Sequence, residues 1–244
     1  MSPARRPLAG IAVAAALVLT ACGDDEPAPA ASSSTSAATA AETSPEVLDR
    51  PEQQQVDATT AKGALPTLED LPKGWAVNAS PVTDDERTYE PAECAAVERR
   101  TSQAAAFEEE HLEVTERVAY SEWTEGIASH LAVTLHSYDE PYPTTFFDEA
   151  GQRLGECSEY TRTIDGDAQT WQTRALTTPT VGDRALGVRY TADGDRGGRI
   201  TDELTVRSGH NVIVVKYLPS DTSYDDDLLQ EYARDVLDRL EQAS

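Results

Sequence analysis

The strongest pattern in the chain is a period of two. Over 112–123, Val114, Val118 and Tyr120 fall on one side, and Thr115, Arg117, Ala119 and Ser121 fall on the other. Over 127–138 the alternation returns, with Leu131, Val133 and Leu135 set against His130, Thr134 and His136. Two such runs around Gly126 predict a β-hairpin with one face buried. Further strands are predicted at 75–77, 160–164, 169–176, 185–191, 200–206 and 212–218. Tight connections fall at Asp165-Gly166-Asp167 and Ser208-Gly209. Val212-Ile213-Val214-Val215 is apolar on both faces, which places that strand centrally.

Period two gives way to helical spacing in a few places. Leu65 to Leu71 predicts a short helical turn, closed by Pro72-Lys73-Gly74. Pro91 suits the first position of a helix running through Cys94 to about Arg99. Phe147, Ala150 and Leu154 predict a helix over 146–157. The C-terminal stretch carries Leu228, Leu229, Tyr232, Ala233, Val236, Leu237 and Leu240 at helical spacing. It has an acidic start at 225–227 and Arg234 and Arg239 towards its end, so a helix is predicted. The expected class is α+β: a largely antiparallel sheet of about seven strands, helices packed on one face, and a candidate cleft.

The first 64 residues have neither period. Arg5 and Arg6 precede an apolar run, Leu8 to Leu19, that is too short to span a bilayer core of about 30 Å. Leu19-Thr20-Ala21-Cys22 follows and resembles a bacterial lipobox, which implies a signal peptide over 1–21 and acylation of Cys22. Two acyl chains give stable anchoring where one does not. The expected location is therefore the outer face of the cytoplasmic membrane, with the membrane as a partner through the lipid alone. Residues 22–64 hold Pro27, Pro29, a Ser/Thr run at 32–36 and three consecutive Gln. That composition predicts a disordered tether with a coil dimension of about 35 Å. The folded domain is expected at 65–244.

Composition narrows the function classes. The 244 residues carry 20 Lys+Arg against 44 Asp+Glu, a formal net charge of −24. Such a chain lacks the basic footprint that nucleic acid or a polybasic lipid contact requires. Beyond Cys22 the remaining cysteines are Cys94 and Cys157, which outside the membrane most simply pair. No metal site, cofactor site or catalytic motif is legible. His130 and His136 lie six strand positions apart, about 20 Å, too far to share one ion. An enzyme is not expected.

Strand parity suggests one candidate surface. Placing Val114, Val118, Leu131, Val133, Leu135, Trp171, Leu186, Val188, Tyr190, Leu204 and Val206 towards the helices puts another set on the opposite face. That set is Arg117, His130, His136, Gln172, Arg174, Arg189, Thr205 and Arg207. Arginines clustered in so acidic a body can select an anionic or carboxylate-bearing ligand. Arg117, His130, Arg174 and Arg189 are the ligand-binding candidates, although plain solvation of an open sheet face explains the same pattern.

Motifs beyond these periods have a recognisable order. Leu68-Glu69-Asp70-Leu71-Pro72-Lys73-Gly74-Trp75 opens the domain, and Pro91-Ala92-Glu93-Cys94 follows. Later come Val181-Gly182-Asp183 and Val206-Arg207-Ser208-Gly209-His210-Asn211-Val212. Together they resemble the extracellular sensor-domain family named for the mycobacterial kinase PknH, which also occurs in actinobacterial lipoproteins. The resemblance covers nearly all of 65–244. It implies an antiparallel sheet with helices and a large cleft for a small ligand. The kinase sensor carries two disulfides, whereas this domain can form one. The resulting expectation is a tethered, non-catalytic binding module for a small molecule or envelope component. A lipid or glycolipid carrier and an envelope protein-docking module are the alternatives.

Overall fold

A computed structural model describes residues 46–78, 86–124, 126–178, 180–192, 199–219 and 226–243. The expected signal peptide over 1–21, Cys22 and the tether up to residue 45 lie outside the described residues. Among the described residues there are four α-helices: α1 (Ala58–Ala64), α2 (Ser102–His111), α3 (Thr144–Glu156) and α4 (Asp226–Gln242). The strands are β1 (Ala76–Val77), β2 (Arg87–Glu90), β3 (Leu112–Thr124), β4 (Ile127–Tyr138), β5 (Glu159–Ile164), β6 (Asp167–Ala175), β7 (Arg184–Ala192), β8 (Arg199–Ser208) and β9 (Asn211–Leu218). Short 3-10 helices occupy Pro51–Gln53, Leu68–Asp70 and Ala92–Glu98. The last of these stands where an α-helix was expected, and it ends on Arg99 in the left-handed region (φ 55°).

The strands form one antiparallel sheet in the order β1-β3-β4-β9-β8-β7-β6-β5-β2. Its middle strands are β9 and β8, as the two-sided apolar run predicts. Ile213 and Val215 pair with Leu135 and Val133 on one side and with Val206 and Leu204 on the other. These residues make one face, which α1 and α4 cover through Ala61, Ala64, Leu229, Tyr232, Val236 and Leu240. Val212 and Val214 point the opposite way. At their end of the second face lie Tyr138, Tyr142, Phe147 and the partly buried Phe107. Farther along the same face, Cys94, Val97, Leu154 and Cys157 pack on Tyr160, Trp171, Val188 and Tyr190.

Three expectations change. Helices cover both faces, not one. Trp171, Leu186, Val188 and Tyr190 therefore pack beneath α3 and the 3-10 helix Ala92–Glu98, not beneath the C-terminal helix. Their parity relative to β8 is set by the observed pairs, Val188 opposite Glu203 and Tyr190 opposite Thr201. A slip of one residue would reverse it, and no alternation within a single strand encodes that choice.

The tether boundary changes too, because residues 46–64 belong to the packed domain. Asp57 caps α1 by accepting the Thr60 amide at 2.7 Å. Ala61 and Ala64 are buried, and the Val56 amide donates to Ser137 Oγ at 3.0 Å. A Gln- and Ala-rich stretch with few large aliphatics can order when a finished sheet offers it a surface and hydrogen-bond partners.

The segment is pinned by a buried guanidinium. Arg207 donates to the Tyr142 carbonyl, to Glu46 at 2.8 Å and to Asp183 at 2.9 Å. Asp183 also accepts from Arg50, Gln53 and the Gly209 amide. Gly182 and Gly209 have positive φ, and a Cβ on either would lie 2.3 Å from a backbone carbonyl oxygen, that of Arg207 or of Gln53. Gly182→Ala and Gly209→Ala are each expected to cost more than about 1 kcal/mol of stability in urea titrations.

Cys94 and Cys157 form a disulfide, which ties the 3-10 helix to the end of α3 across 63 positions. Opening it should cost about 4 kcal/mol in the chain-entropy account. The check is the urea midpoint with and without reductant, and in the Cys94→Ser, Cys157→Ser double variant.

Candidate functional site

The second face of the sheet is polar where the helices leave it. Cross-strand pairs place Glu203 beside Lys216, Tyr190 beside Thr201, and Tyr160 beside Trp171. The disulfide-tied 3-10 helix adds Glu98 and is followed by Arg99. Together they build two anchored carboxylates. Glu98 accepts from Tyr160 Oη at 2.7 Å, Arg162 at 2.8 Å, Tyr89 Oη at 3.0 Å and Arg87 at 3.4 Å. Glu203 accepts from Lys216 at 2.9 Å, Arg99 at 3.2 Å and Thr205 Oγ1 at 3.3 Å.

Electrostatics follow from that packing. Burial works to raise the Glu203 carboxyl, but Lys216 and Arg99 overcome it and push it down to about 2. Burial opposes ionisation of Glu98 as well, and Arg162 with the Tyr160 hydroxyl brings it below the ordinary value. Both carboxylates are ionised at neutral pH and fully engaged, so neither is set up to carry a proton. His136 lies farther along the face, its Nδ1 3.0 Å from Thr115 Oγ1. Burial, reinforced by repulsion from Arg99 and Lys216, lowers its imidazole to about 4.

Between these groups is a cavity of about 200 Å³ lined by Arg87, Glu98, Arg162, Trp171, Tyr190, Arg199, Thr201, Glu203 and Lys216. The Arg162 guanidinium carbon sits 3.6 Å from the centre of a Trp171 ring, a close cation–π contact. Arg162 Nε and Trp171 Nε1 are buried, and among the described residues neither has a hydrogen-bond partner.

The four candidates from sequence are divided between the faces. Arg117 and His130 lie on the second face, at its open end. Arg117 pairs with Thr134, and its guanidinium is lowered by burial. His130 lies 3.3 Å from Asn78 Nδ2. Arg174 and Arg189 are cross-strand partners on the first face, beyond the cover of α4. Arg189 forks Asp202 at 2.6 Å through both Nε and Nη2. With Gln172 and Thr191 they line a second, open cavity of about 340 Å³. The expectation that these four share one face is therefore corrected: β6 and β7 have the opposite parity to the one assumed. Gln172 moves with them, whereas His136, Thr205 and Arg207 remain with Arg117.

Sequence reasoning missed Arg162, Arg199, Glu203 and Lys216 as cavity residues; Trp171 packs against the helical side as expected and also borders the cavity. A signal was available in Tyr160-x-Arg162 and in Thr201-x-Glu203, where one face of a strand mixes ring, hydroxyl and charge.

No family model matches the chain, and no curated protein matches it. Among solved structures, the extracellular domain of PknH from Mycobacterium tuberculosis superposes with a TM-score of 0.58 at 12% identity. The match covers 78% of this chain and 99% of that domain. An uncharacterized protein of Mycobacterium smegmatis matches with a TM-score of 0.42 at 15% identity, over 76% of this chain and 98% of the other. The chain thus has the fold of the PknH extracellular domain, as its motif order implies.

The depressed His136 gives a pH signature. The unfolded chain binds that proton near pH 6.5 and the folded chain only near 4, so stability is lost as pH falls through this window. Between pH 6.5 and 5 the native protein should lose about 1.5 kcal/mol that His136→Gln retains. Urea midpoints at half-unit pH steps test this, and equal slopes in the two proteins would contradict it.

Proposed function

We propose that this chain is a lipid-anchored, extracytoplasmic, sensor-like domain that binds a small ligand on the second face of its sheet and performs no catalysis itself. The observation that carries the reading is the cavity bordered by Glu98, Arg162, Trp171 and Lys216. A built polar cavity on a rigid antiparallel sheet is the arrangement expected of a binding module. The disulfide suits an oxidising compartment, in agreement with an export signal ending at Cys22. The shared fold with a kinase's extracellular domain supports the same location. Among the described residues no helix is long and apolar enough to cross a membrane, so attachment in this reading rests on the acylated Cys22.

Of the alternatives, a lipid carrier needs an apolar cavity for acyl chains. The two cavities described here are lined by charged and hydroxyl side chains, which favours a polar ligand. Arg117 and His130, on β3 and β4 of the same face, are the candidates in this proposal for the outer part of a larger ligand.

Two measurements test the proposal. Fatty-acid radiolabel should enter the native protein and be absent from Cys22→Ala; equal labelling would refute the anchor. Native mass spectrometry of protein purified from its host should show a polar adduct. A bound lipid would instead support the carrier reading, and a bare chain the docking module.

A further inference from the structure

The cavity's charge bookkeeping points beyond binding in general to a class of ligand. Among the described residues four cations line it, Arg87, Arg162, Arg199 and Lys216, against two carboxylates, Glu98 and Glu203. The excess is larger than that balance suggests, because Arg99, just outside the lining, is already committed to Glu203. The tyrosines Tyr89 and Tyr160 saturate Glu98 from the other side. This local surplus sits in a protein whose formal net charge is −24. Electroneutral packing of a sheet face does not require it.

Individual donors point the same way. Among the described residues the Arg199 side chain makes no ion pair or hydrogen bond, and the residue lines the cavity. Arg162 spends its Nη1 on Glu98 and stacks on Trp171, leaving Nε buried without a partner. Trp171 Nε1 is a donor that cannot accept, buried in the same wall. Both atoms are shut off from solvent behind the wall, so the donors open to a ligand are those of Arg199, Lys216 and Thr201. Thr201 adds a hydroxyl at the rim. The set is rich in N–H donors, and its two acceptor-only groups are already occupied.

Volume limits the ligand. A cavity of about 200 Å³ lies below the 300–1,000 Å³ typical of sites for drug-sized molecules. It accommodates a charged head group and leaves the rest of a larger molecule outside the cavity.

We infer that this cavity is an oxyanion subsite, recognising the carboxylate or phosphate group of a small soluble ligand through Arg199, Lys216 and Thr201. This rests on the binding-module reading above and gives its ligand a chemical class. Guanidinium forks match carboxylate and phosphate alike, so the two sources must be separated by experiment.

The test uses the full chain, titrated calorimetrically with sodium phosphate and, separately, with citrate at constant ionic strength. At least one should bind saturably with a Kd below about 1 mM. Arg199→Gln removes a cation that holds no side-chain ion pair or hydrogen bond among the described residues, so the fold should survive, as circular dichroism can verify. It should weaken binding at least about tenfold. Arg234→Gln, on the exposed side of α4 and outside both cavities, should leave the affinity unchanged. Phosphate binding alone assigns a phosphate-bearing ligand, and citrate binding alone a carboxylate. Saturation by neither anion, or equal affinity in Arg199→Gln and the native chain, overturns the subsite. If the anions fail but a neutral polar adduct copurifies from the host, the oxyanion inference falls while the binding module stands. If no small ligand is found by either route, both fall.

Discussion

The guanidinium of Arg207 is the contact on which the architecture turns. It is almost fully buried at the end of a central strand, where an unpaired charge could not be sustained. Its partners come from four directions: the Tyr142 carbonyl before α3, Asp183 before β7, Glu46 at the entry to the domain, and through Asp183 the β8–β9 turn. One buried ion therefore joins the entering chain, the loop between β6 and β7 and the central hairpin. The two glycines beside it are required because carbonyl oxygens occupy the space a side chain would need. Val181-Gly182-Asp183 and Arg207-Ser208-Gly209, separated in sequence, are a single structural device.

The second organising constraint is the Cys94–Cys157 bridge. Through it α3 holds the 3-10 helix Ala92–Glu98 against the second face, and that helix delivers Glu98 and Arg99 over the sheet. Stability and site share a cause here. The cavity is floored by β5 to β9 and walled by a segment held covalently, with Arg162 and Arg87 held by Glu98 and Lys216 by Glu203. Glu98 and Glu203 act as internal counterions that position arginines and Lys216, leaving a net positive opening in an acidic domain.

Much of this was legible before folding. The hairpin β3–β4, the central place of β9, α3 and α4 all announce themselves through uninterrupted periods of two or 3.6, because each buries an unbroken stripe. α2 and β2 do not. α2 has alanines and one Phe for an apolar side, and β2 is four residues at an edge. α1 hides in a stretch whose composition resembles a tether; it is ordered by what it docks on. The candidate site was half legible: Arg117 and His130 stand on the cavity's face, whereas Arg174 and Arg189 do not. The reason is local to β6 and β7, whose alternation is clear but whose phase against β8 is not written in either strand.

Sequence alone determined the α+β class, the terminal amphipathic helix, the cysteine pair and the acidic excess, since each depends on residue type and short-range spacing. The tertiary structure alone decided which side of each strand faces which helix, and therefore that Arg162, Trp171, Arg199, Glu203 and Lys216 converge. Register between strands is settled by the total packing on both faces of the sheet. A displacement of one residue exchanges core for cleft, and no stretch of the chain specifies that choice by itself.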